Sequence, residues 1–369
     1  MRIGFNCRSI LLNTRTGIGR YSYHLLDNLG KIDQGNTYLL YARKKLFDRK
    51  RHLPSFPYAN FKEVSDVLNF GARRCLKNAD VYHVPSPDLV KPMPGTKLVV
   101  TVHDLIYKTH PQSHTTPTIE ATARQMATIV QFADKIICIS ENTRRDLHRF
   151  FDLPAEKSCV IYNGVDHKTF YSLSQEERAA ARGRLSVLGI RKPFILFVGT
   201  IEPRKNLNGL LKSFALLKSR KMFDGQVVVV GMKGWMMETV MPVVKVLGLQ
   251  DDVVFTGFIS DGQLRELYNL AEVFVFPSFY EGFGFPIVEA FCCGVPIVTS
   301  ASSSCREIAG DAALTVDTQN SEALAQGITQ VLEDEKLKAK MCEDGLIRSR
   351  QFSFLNTAKE TLAIYEEIK

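Results

Sequence analysis

Two doubly wound α/β domains, each a parallel β-sheet covered by helices, are what this sequence predicts. Three observations carry the prediction. Short β-rich runs recur along the 369 residues with helical patterns between them; the runs are apolar nearly throughout instead of alternating; and a charged helical stretch without a strand divides them into two series. Strands buried on both faces lose the apolar-polar alternation, which places them in parallel sheets flanked by helices. A chain of this length also exceeds one ordinary core and fits two.

In the first series the expected strands are RIGFN at the start, TYLLYA (37 to 42), VYHV (81 to 84), KLVVTVHD (97 to 104), KIICIS (135 to 140) and CVIYNGV (159 to 165). Ser140 ends one of them and opens the helix SENTRRDLHRFF, where its hydroxyl can accept from the free amides of the first turn and Leu147, Phe150 and Phe151 form an apolar face. SLSQEERAAARGRLSVLGIRKP, 172 to 193, is helical and charged and is closed by Gly189 and Pro193, so a domain border is expected there, with the first domain at 1 to 178 and the second at 179 to 353. The second series is FILFVGT (194 to 200), QVVVVG (226 to 231), VVFTGF (253 to 258), VFVFPS (273 to 278), PIVTS (296 to 300) and ALTVD (313 to 317). Ser260 with Asp261 caps the helix DGQLRELYNLA, and Pro286 suits the first turn of a helix that Gly294 stops. Ligands are expected at the carboxyl ends of the strands, in the cleft between two facing domains.

Composition narrows the function classes. A content of 45% hydrophobic and 23% charged residues is that of a globular protein and excludes a disordered chain. The longest apolar runs, VVVV at 227 to 230 and FILFV at 194 to 198, fall far short of the roughly 18 residues of a membrane span. MRIGFN lacks the apolar centre of a secretion signal, so a cytoplasmic location is expected. The eight cysteines are scattered, without metal-ligand spacing, and read as buried thiols. Lysine and arginine exceed aspartate and glutamate by eight, unevenly: RKKLFDRKR (43 to 51) holds six basic residues, and Arg73, Arg74 and Lys77 follow. Such a cluster fits peripheral contact with anionic lipid headgroups, at about 1 kcal/mol per basic residue, or equally a solvated loop. Nucleic acid is not expected, because no aromatic residues interleave the charges as a stacking platform would require.

Chemistry concentrates in FYEGFGFPIVEA (279 to 290). EGFGF lies where a strand ends and a helix begins, and Gly282 and Gly284 let the backbone approach a ligand and aim amides at hydroxyls or an anion. The carboxylates of Glu281 and Glu289 accept hydrogen bonds from vicinal hydroxyls of a sugar or ribose. The alternative for these two is a turn residue and a first-turn acid favoured by the helix dipole. EPRKN (202 to 206) follows another strand end, where Arg204 and Lys205 can carry positive charge to a pyrophosphate leaving group. GIGRYSYH lacks the third glycine of a dinucleotide fingerprint and does not directly follow a strand.

GTIEPRKNL (199 to 207) together with EGFGFPIVEA (281 to 290) resembles the C-terminal half of the family 4 glycosyltransferases, retaining enzymes of the GT-B fold, which pairs two Rossmann-like domains across a cleft. TGIGRY (16 to 21), His103 with Asp104, the Ser140 helix and NGVD (163 to 166) fall in the expected order of the N-terminal half. The resemblance implies that Glu281 holds the donor sugar hydroxyls, helped by amides of Phe283, Gly284 and Phe285, that Glu289 binds the ribose, and that Arg204 and Lys205 bind the pyrophosphate. Many members have an arginine directly after the glycine that here is Gly199; this chain has Thr200, which leaves Arg204 to provide the second charge. Gly17 and Gly19 match a loop that closes over the donor, and His103 matches a histidine near the sugar and the acceptor. The helix at about 354 to 369 is expected to pack back on the acceptor-binding first domain, leaving the second to bind the nucleotide sugar.

The reaction so implied moves a hexose to a glycan or lipid-linked glycan acceptor in cell-surface polysaccharide assembly, such as lipopolysaccharide or capsule. GTIEPRKNL resembles the branch rich in bacterial mannosyltransferases, so GDP-mannose is the first choice of donor and a UDP-sugar the second, with the base near Gly231, Gly234 and the turn at 257 to 260. No metal is required, since no Asp-x-Asp element and no ligand cluster occurs in the sequence, and no other cofactor is expected. A nucleotide-sugar epimerase on the same fold and a catalytically silent membrane-bound scaffold are the competing classes.

Overall fold

The computed structural model describes residues 1–11, 17–43, 52–86, 91, 93–231 and 237–369. They form two units. One comprises Met1–Gly164 with Ser353–Lys369, the other Val165–Phe352.

The first unit is built on seven parallel strands: Arg2–Asn6 (β1), Thr37–Arg43 (β2), Phe61–Asp66 (β3), Val81–Val84 (β4), Lys97–Val102 (β5), Lys135–Cys138 (β6) and Ser158–Val160 (β7), in the order β3-β2-β1-β4-β5-β6-β7. β1 lies at the point where the order reverses, pairing Ile3 with Tyr38 on one side and Val81 on the other. β4 and β6 are buried along their whole length. β3 was not expected. It is an edge strand, half of its sequence FKEVSD is exposed, and it lacks the unbroken apolar run that marks the inner strands. The core gathers Leu39, Tyr82, Val100, Val102, Ile129, Ile136 and Leu147.

The helix Phe354–Glu367 belongs to this unit and packs against the helix Gly17–Ile32, with the rings of His24 and Phe354 stacked at 4.7 Å. A buried polar chain fixes its far end. The Tyr365 hydroxyl meets Nδ1 of His83 at 2.5 Å, Nε2 of His83 meets Thr101 at 2.8 Å, and Thr101 meets the Tyr21 hydroxyl at 3.0 Å. Burial pushes the His83 imidazole down to about 3, with a smaller contribution from His103, so the ring is neutral.

The second unit has six parallel strands: Phe194–Val198 (β8), Gln226–Val230 (β9), Val253–Gly257 (β10), Val273–Phe276 (β11), Ile297–Ser300 (β12) and Leu314–Val316 (β13), ordered β10-β9-β8-β11-β12-β13. Val227 to Val230 are all buried, and each fully buried valine contributes about 2 kcal/mol. Ile195, Phe197, Val229, Val275 and Phe214 lie at the heart of this core.

The expected border at 178/179 is corrected to Gly164/Val165. Ser174 caps the helix Gln175–Leu185 with a reciprocal Glu177 contact, but this helix joins the second unit: Arg178 donates to the Asn269 carbonyl at 2.5 Å, and Asn269 Oδ1 accepts the Leu173 amide at 2.8 Å. Gly164 marks the true border, where a Cβ would sit 2.0 Å from the Phe354 nitrogen. Among the described residues no helix is long and apolar enough to cross a membrane. All eight cysteines are free; Cys7, Cys138, Cys292, Cys293 and Cys305 are buried, while Cys75, Cys159 and Cys342 are intermediate.

Candidate active site

Two loops, following β8 and β11, build the charged part of the site at the carboxyl edge of the second sheet. Beyond β8 the chain passes Gly199 and turns through Pro203–Lys205, where the Lys205 amide donates to the Glu202 carbonyl at 3.0 Å. Asn206 then adopts a left-handed conformation at φ 56, which asparagine tolerates better than most residues, and its Oδ1 caps the next helix by accepting the Gly209 amide at 3.1 Å. Asn206 Nδ2 donates to the Thr318 carbonyl at 2.7 Å. Arg204 and Lys205 therefore stand on a turn fixed at both ends. Gly231, after β9, is packed just as closely, because a Cβ there would lie 2.0 Å from the Gly199 carbonyl oxygen.

The β8 loop is tied directly to the β11 loop. The Phe279 amide donates to the Arg204 carbonyl at 2.8 Å, and the Arg204 guanidinium reaches the Tyr280 carbonyl at 3.1 Å. The Glu281 amide donates to Ser303 Oγ at 3.2 Å, while its carbonyl accepts Ser304 Oγ at 2.8 Å. Ser303 itself sits at a positive φ of 55. The carboxylate of Glu281 is 7% exposed and lies between both cations. Oε1 accepts Lys205 Nζ and Ser278 Oγ, each at 2.5 Å, and Oε2 accepts the Arg204 guanidinium at 2.8 Å. Arg204 also pairs with Glu202 at 2.6 Å.

Two cations and two carboxylates thus form one formally neutral cluster. Burial resists the Glu281 charge and is the strongest single influence on it, but Lys205 and Arg204, with hydrogen bonds from Lys205 and Ser278, outweigh burial and hold the carboxyl down at about 2. The carboxylate is ionised throughout the physiological range. An ionised carboxylate has about four acceptor positions, and Oε2 has one described partner, which leaves it able to accept one more donor. Lys205 carries three N–H bonds, one of them directed at Glu281.

Gly284 caps the helix Phe285–Cys293 at φ 100, a conformation suited to glycine, and Pro286 sits in the first turn. Gly282 and Phe283 are buried in the approach to it. The Phe283 ring lies edge-on to Phe285 at 5.3 Å and to Phe352 at 5.7 Å. Within the described residues the amides of Phe283, Gly284 and Phe285 make no hydrogen bond, as the orphan donors of a helix start do. Glu289, one turn into the helix, is 6% exposed and accepts the Tyr268 hydroxyl at 3.1 Å.

The remaining expected residues lie in the first unit. His103 follows β5 and is buried, with its ring edge-on to Tyr21 at 5.1 Å. Its Nε2 is 2.8 Å from the Pro85 carbonyl. A carbonyl only accepts, so Nε2 carries the proton; burial lowers the ring's pKa, which keeps it neutral and leaves Nδ1 as an acceptor. Gly17 and Gly19 were expected in a loop. They instead form the first turn of the helix Gly17–Ile32, the helix that carries Tyr21. The rest of that loop, 12 to 16, lies outside the described residues, as do 44 to 51 of the basic segment and Gly234.

Glu202, Ser278, Ser303 and Asn206 belong to the site and were not singled out from the sequence. Asn206 had a signal, an asparagine directly before a helix, and so did the serine run at 302 to 304 following an expected strand. Among the described residues no three His, Cys, Asp or Glu side chains are grouped to hold a metal ion.

Residues 15–169 match the family described as Glycosyltransferase Family 4, and residues 186–346 the family described as Glycosyl transferases group 1. Among curated proteins the chain is similar to the O-antigen chain mannosyltransferase B of Escherichia coli, with 29% identity over 374 residues, 95% of this chain and 96% of that one. It is also similar to the serotype-specific mannosyltransferase WbdA of Escherichia coli, 28% identical over 229 residues, 61% of this chain and 28% of that longer protein. Of solved structures, sucrose-phosphate synthase from Thermosynechococcus elongatus superposes with a TM-score of 0.77 at 21% identity, covering 100% of this chain and 98% of that one. WaaG, a glycosyltransferase involved in lipopolysaccharide biosynthesis, superposes with a TM-score of 0.75 at 16% identity, covering 98% and 99%. At these identities the structural likeness speaks for the fold.

Proposed function

The chain belongs to the family 4 glycosyltransferases of the GT-B fold, and on that premise we propose that it moves mannose from GDP-mannose to a glycan or lipid-linked glycan, with retention and without a metal, in cell-surface polysaccharide assembly. The observation that supports it most is the Arg204–Lys205–Glu281 cluster, with Lys205 and Glu281 buried, at the strand ends of the second unit. Its charges and the amides beside it suit a diphosphate joined to a sugar. The similarity to two bacterial mannosyltransferases supports the choice of sugar.

Transfer breaks the bond between the anomeric carbon and a phosphate oxygen, so negative charge grows on the diphosphate and positive charge on the ring. Lys205 and Arg204 meet the first, each preorganised donor lowering the barrier by about 3 kcal/mol. Glu281, already tied to both cations, orients them and accepts one sugar hydroxyl through Oε2, and the amides of Phe283, Gly284 and Phe285 donate to others. Glu289 takes the ribose. The acceptor oxygen bonds to the anomeric carbon from the face the diphosphate leaves, and its proton passes to the departing phosphate. His103, neutral with Nδ1 free to accept, orients a substrate hydroxyl. The enzyme works on the cytoplasmic face of the membrane.

The test is transfer to a mannan-type oligosaccharide from GDP-mannose and from UDP-sugars in chelator, with the anomer of the product read by NMR. Transfer from GDP-mannose that gives the α-anomer supports the reading. An inverted product, transfer from a UDP-sugar alone, or isomerised donor without transfer refutes it.

A further inference from the structure

A pocket of about 450 Å³ opens at the carboxyl ends of β1, β2 and β4, within the first unit. Arg43 ends β2 on one wall, and Arg73 and Lys91 face it from two other segments. Asn6, at the end of β1, donates its side-chain amide to the Tyr82 hydroxyl at 3.0 Å and so fixes the floor. The wall bearing Phe70 and Arg73 is held by buried Asp66, whose carboxylate accepts the Phe70 and Gly71 amides, each at 2.8 Å, and the Tyr41 hydroxyl at 2.9 Å. Arg43 adds an electrostatic attraction to Asp66 but makes no close ion pair with it. Among the described residues no carboxylate forms an ion pair with Arg43, Arg73 or Lys91.

Three cations lining one concavity repel one another and are relieved by an anion. A single carboxylate would neutralise one of them, whereas a diphosphate brings two or three charges and oxygens that guanidinium forks bind bidentately. Beside the cations Phe70 presents a half-exposed ring, 49% accessible, covered on one side by the Arg74 guanidinium at 4.3 Å. An apolar surface against a cationic one is what an amphiphile requires.

We propose that this pocket binds the diphosphate of a prenyl-linked acceptor, with the first isoprene carbons on Phe70. The proposal rests on reading the chain as a transferase to a lipid-linked glycan, and it gives that acceptor a charged handle distinct from its sugars.

Geranyl diphosphate, a soluble prenyl diphosphate, is titrated calorimetrically into the full chain and into the variants Arg43→Gln/Arg73→Gln, Lys91→Gln and Lys205→Ala; each is also sedimented with phosphatidylglycerol vesicles. The double variant is expected to bind tenfold or more weakly and Lys91→Gln several-fold more weakly, whereas Lys205→Ala, which weakens only the diphosphate site at the loops after β8 and β11, keeps the binding that the double variant loses, with sedimentation alike in all four. Lys91 is exposed, so its variant keeps the test valid should the double variant melt early. No binding by the parent overturns the proposal, as does loss in Lys205→Ala alone, which would put the probe at the loops after β8 and β11. Lost sedimentation with retained geranyl diphosphate binding also overturns it, in favour of phospholipid headgroups. Failure of the transferase reading would show as no sugar transfer by the parent and would leave this binding result standing.

Discussion

Replacing Glu281 by glutamine keeps the shape of the side chain and removes the charge that Lys205 and Arg204 share. The carboxyl is held at about 2 against an ordinary value of 4.5. That difference corresponds to about 3 kcal/mol of native-state stabilisation at neutral pH, in line with the roughly 3–5 kcal/mol typical of breaking a buried pair from one side. Glu202 remains to balance Arg204, which leaves Lys205 the uncompensated partner. For a unit spanning Val165–Phe352, about 3 kcal/mol lowers the melting temperature by roughly 6–12 °C. The sign with pH follows from the lowered value. The carboxylate's contribution is complete above 4.5 and is lost as pH falls toward 2, so the gap between parent and Glu281→Gln narrows by about 1 kcal/mol between pH 7 and pH 4. Urea unfolding at the two pH values measures it. Equal stability at pH 7, or a gap that widens at pH 4, would refute the reasoning.

Other outcomes follow from neighbouring geometry. Lys205→Ala is expected to cut transfer tenfold or more, at least about 1.4 kcal/mol in the barrier, measured as kcat/KM with donor varied. Burial lowers the pKa of His103, so kcat/KM should stay level from pH 8 to 6.5 and fall only at more acid pH; an inflection above 7 that disappears in His103→Gln would contradict the neutral tautomer. Gly164→Ala places a methyl 2.0 Å from the Phe354 nitrogen and 2.6 Å from its Cα. Backbone yields little, so a loss of about 1–3 kcal/mol or more is expected, with faster amide exchange along the helix Phe354–Glu367; unchanged exchange there would count against it.

Much of the fold could be read because inner strands of a parallel sheet advertise themselves. FILFV and QVVVV are apolar at nearly every position and became β8 and β9. β3 carries no such mark because an edge strand faces water and spells FKEVSD. The border is hidden for a related reason: a charged, well-capped helix looks the same in sequence whether it links two units or lies on the surface of one, and only the Arg178 and Leu173 contacts with Asn269 assign it to the second. The site loops were legible through residues with distinctive backbones, above all Gly284, free to take a positive φ, and Pro286, whose φ is fixed. The joining of Glu281 to Lys205 was not, since it depends on β8 lying beside β11 and brings together side chains 76 positions apart. Ser303 was hidden likewise, its role set by a backbone angle that no local pattern announces.

The first unit draws its last helix from Ser353–Lys369, beyond the whole of Val165–Phe352. During synthesis that unit must therefore wait on the ribosome with the groove beside Gly17–Ile32 uncovered and His83 lacking Tyr365, while the second unit, continuous in sequence, has every strand it needs and can close first. Residues made after the second unit finish a half made before it, and a nascent chain truncated before residue 354 would leave that half with an open apolar seam for chaperones to recognise.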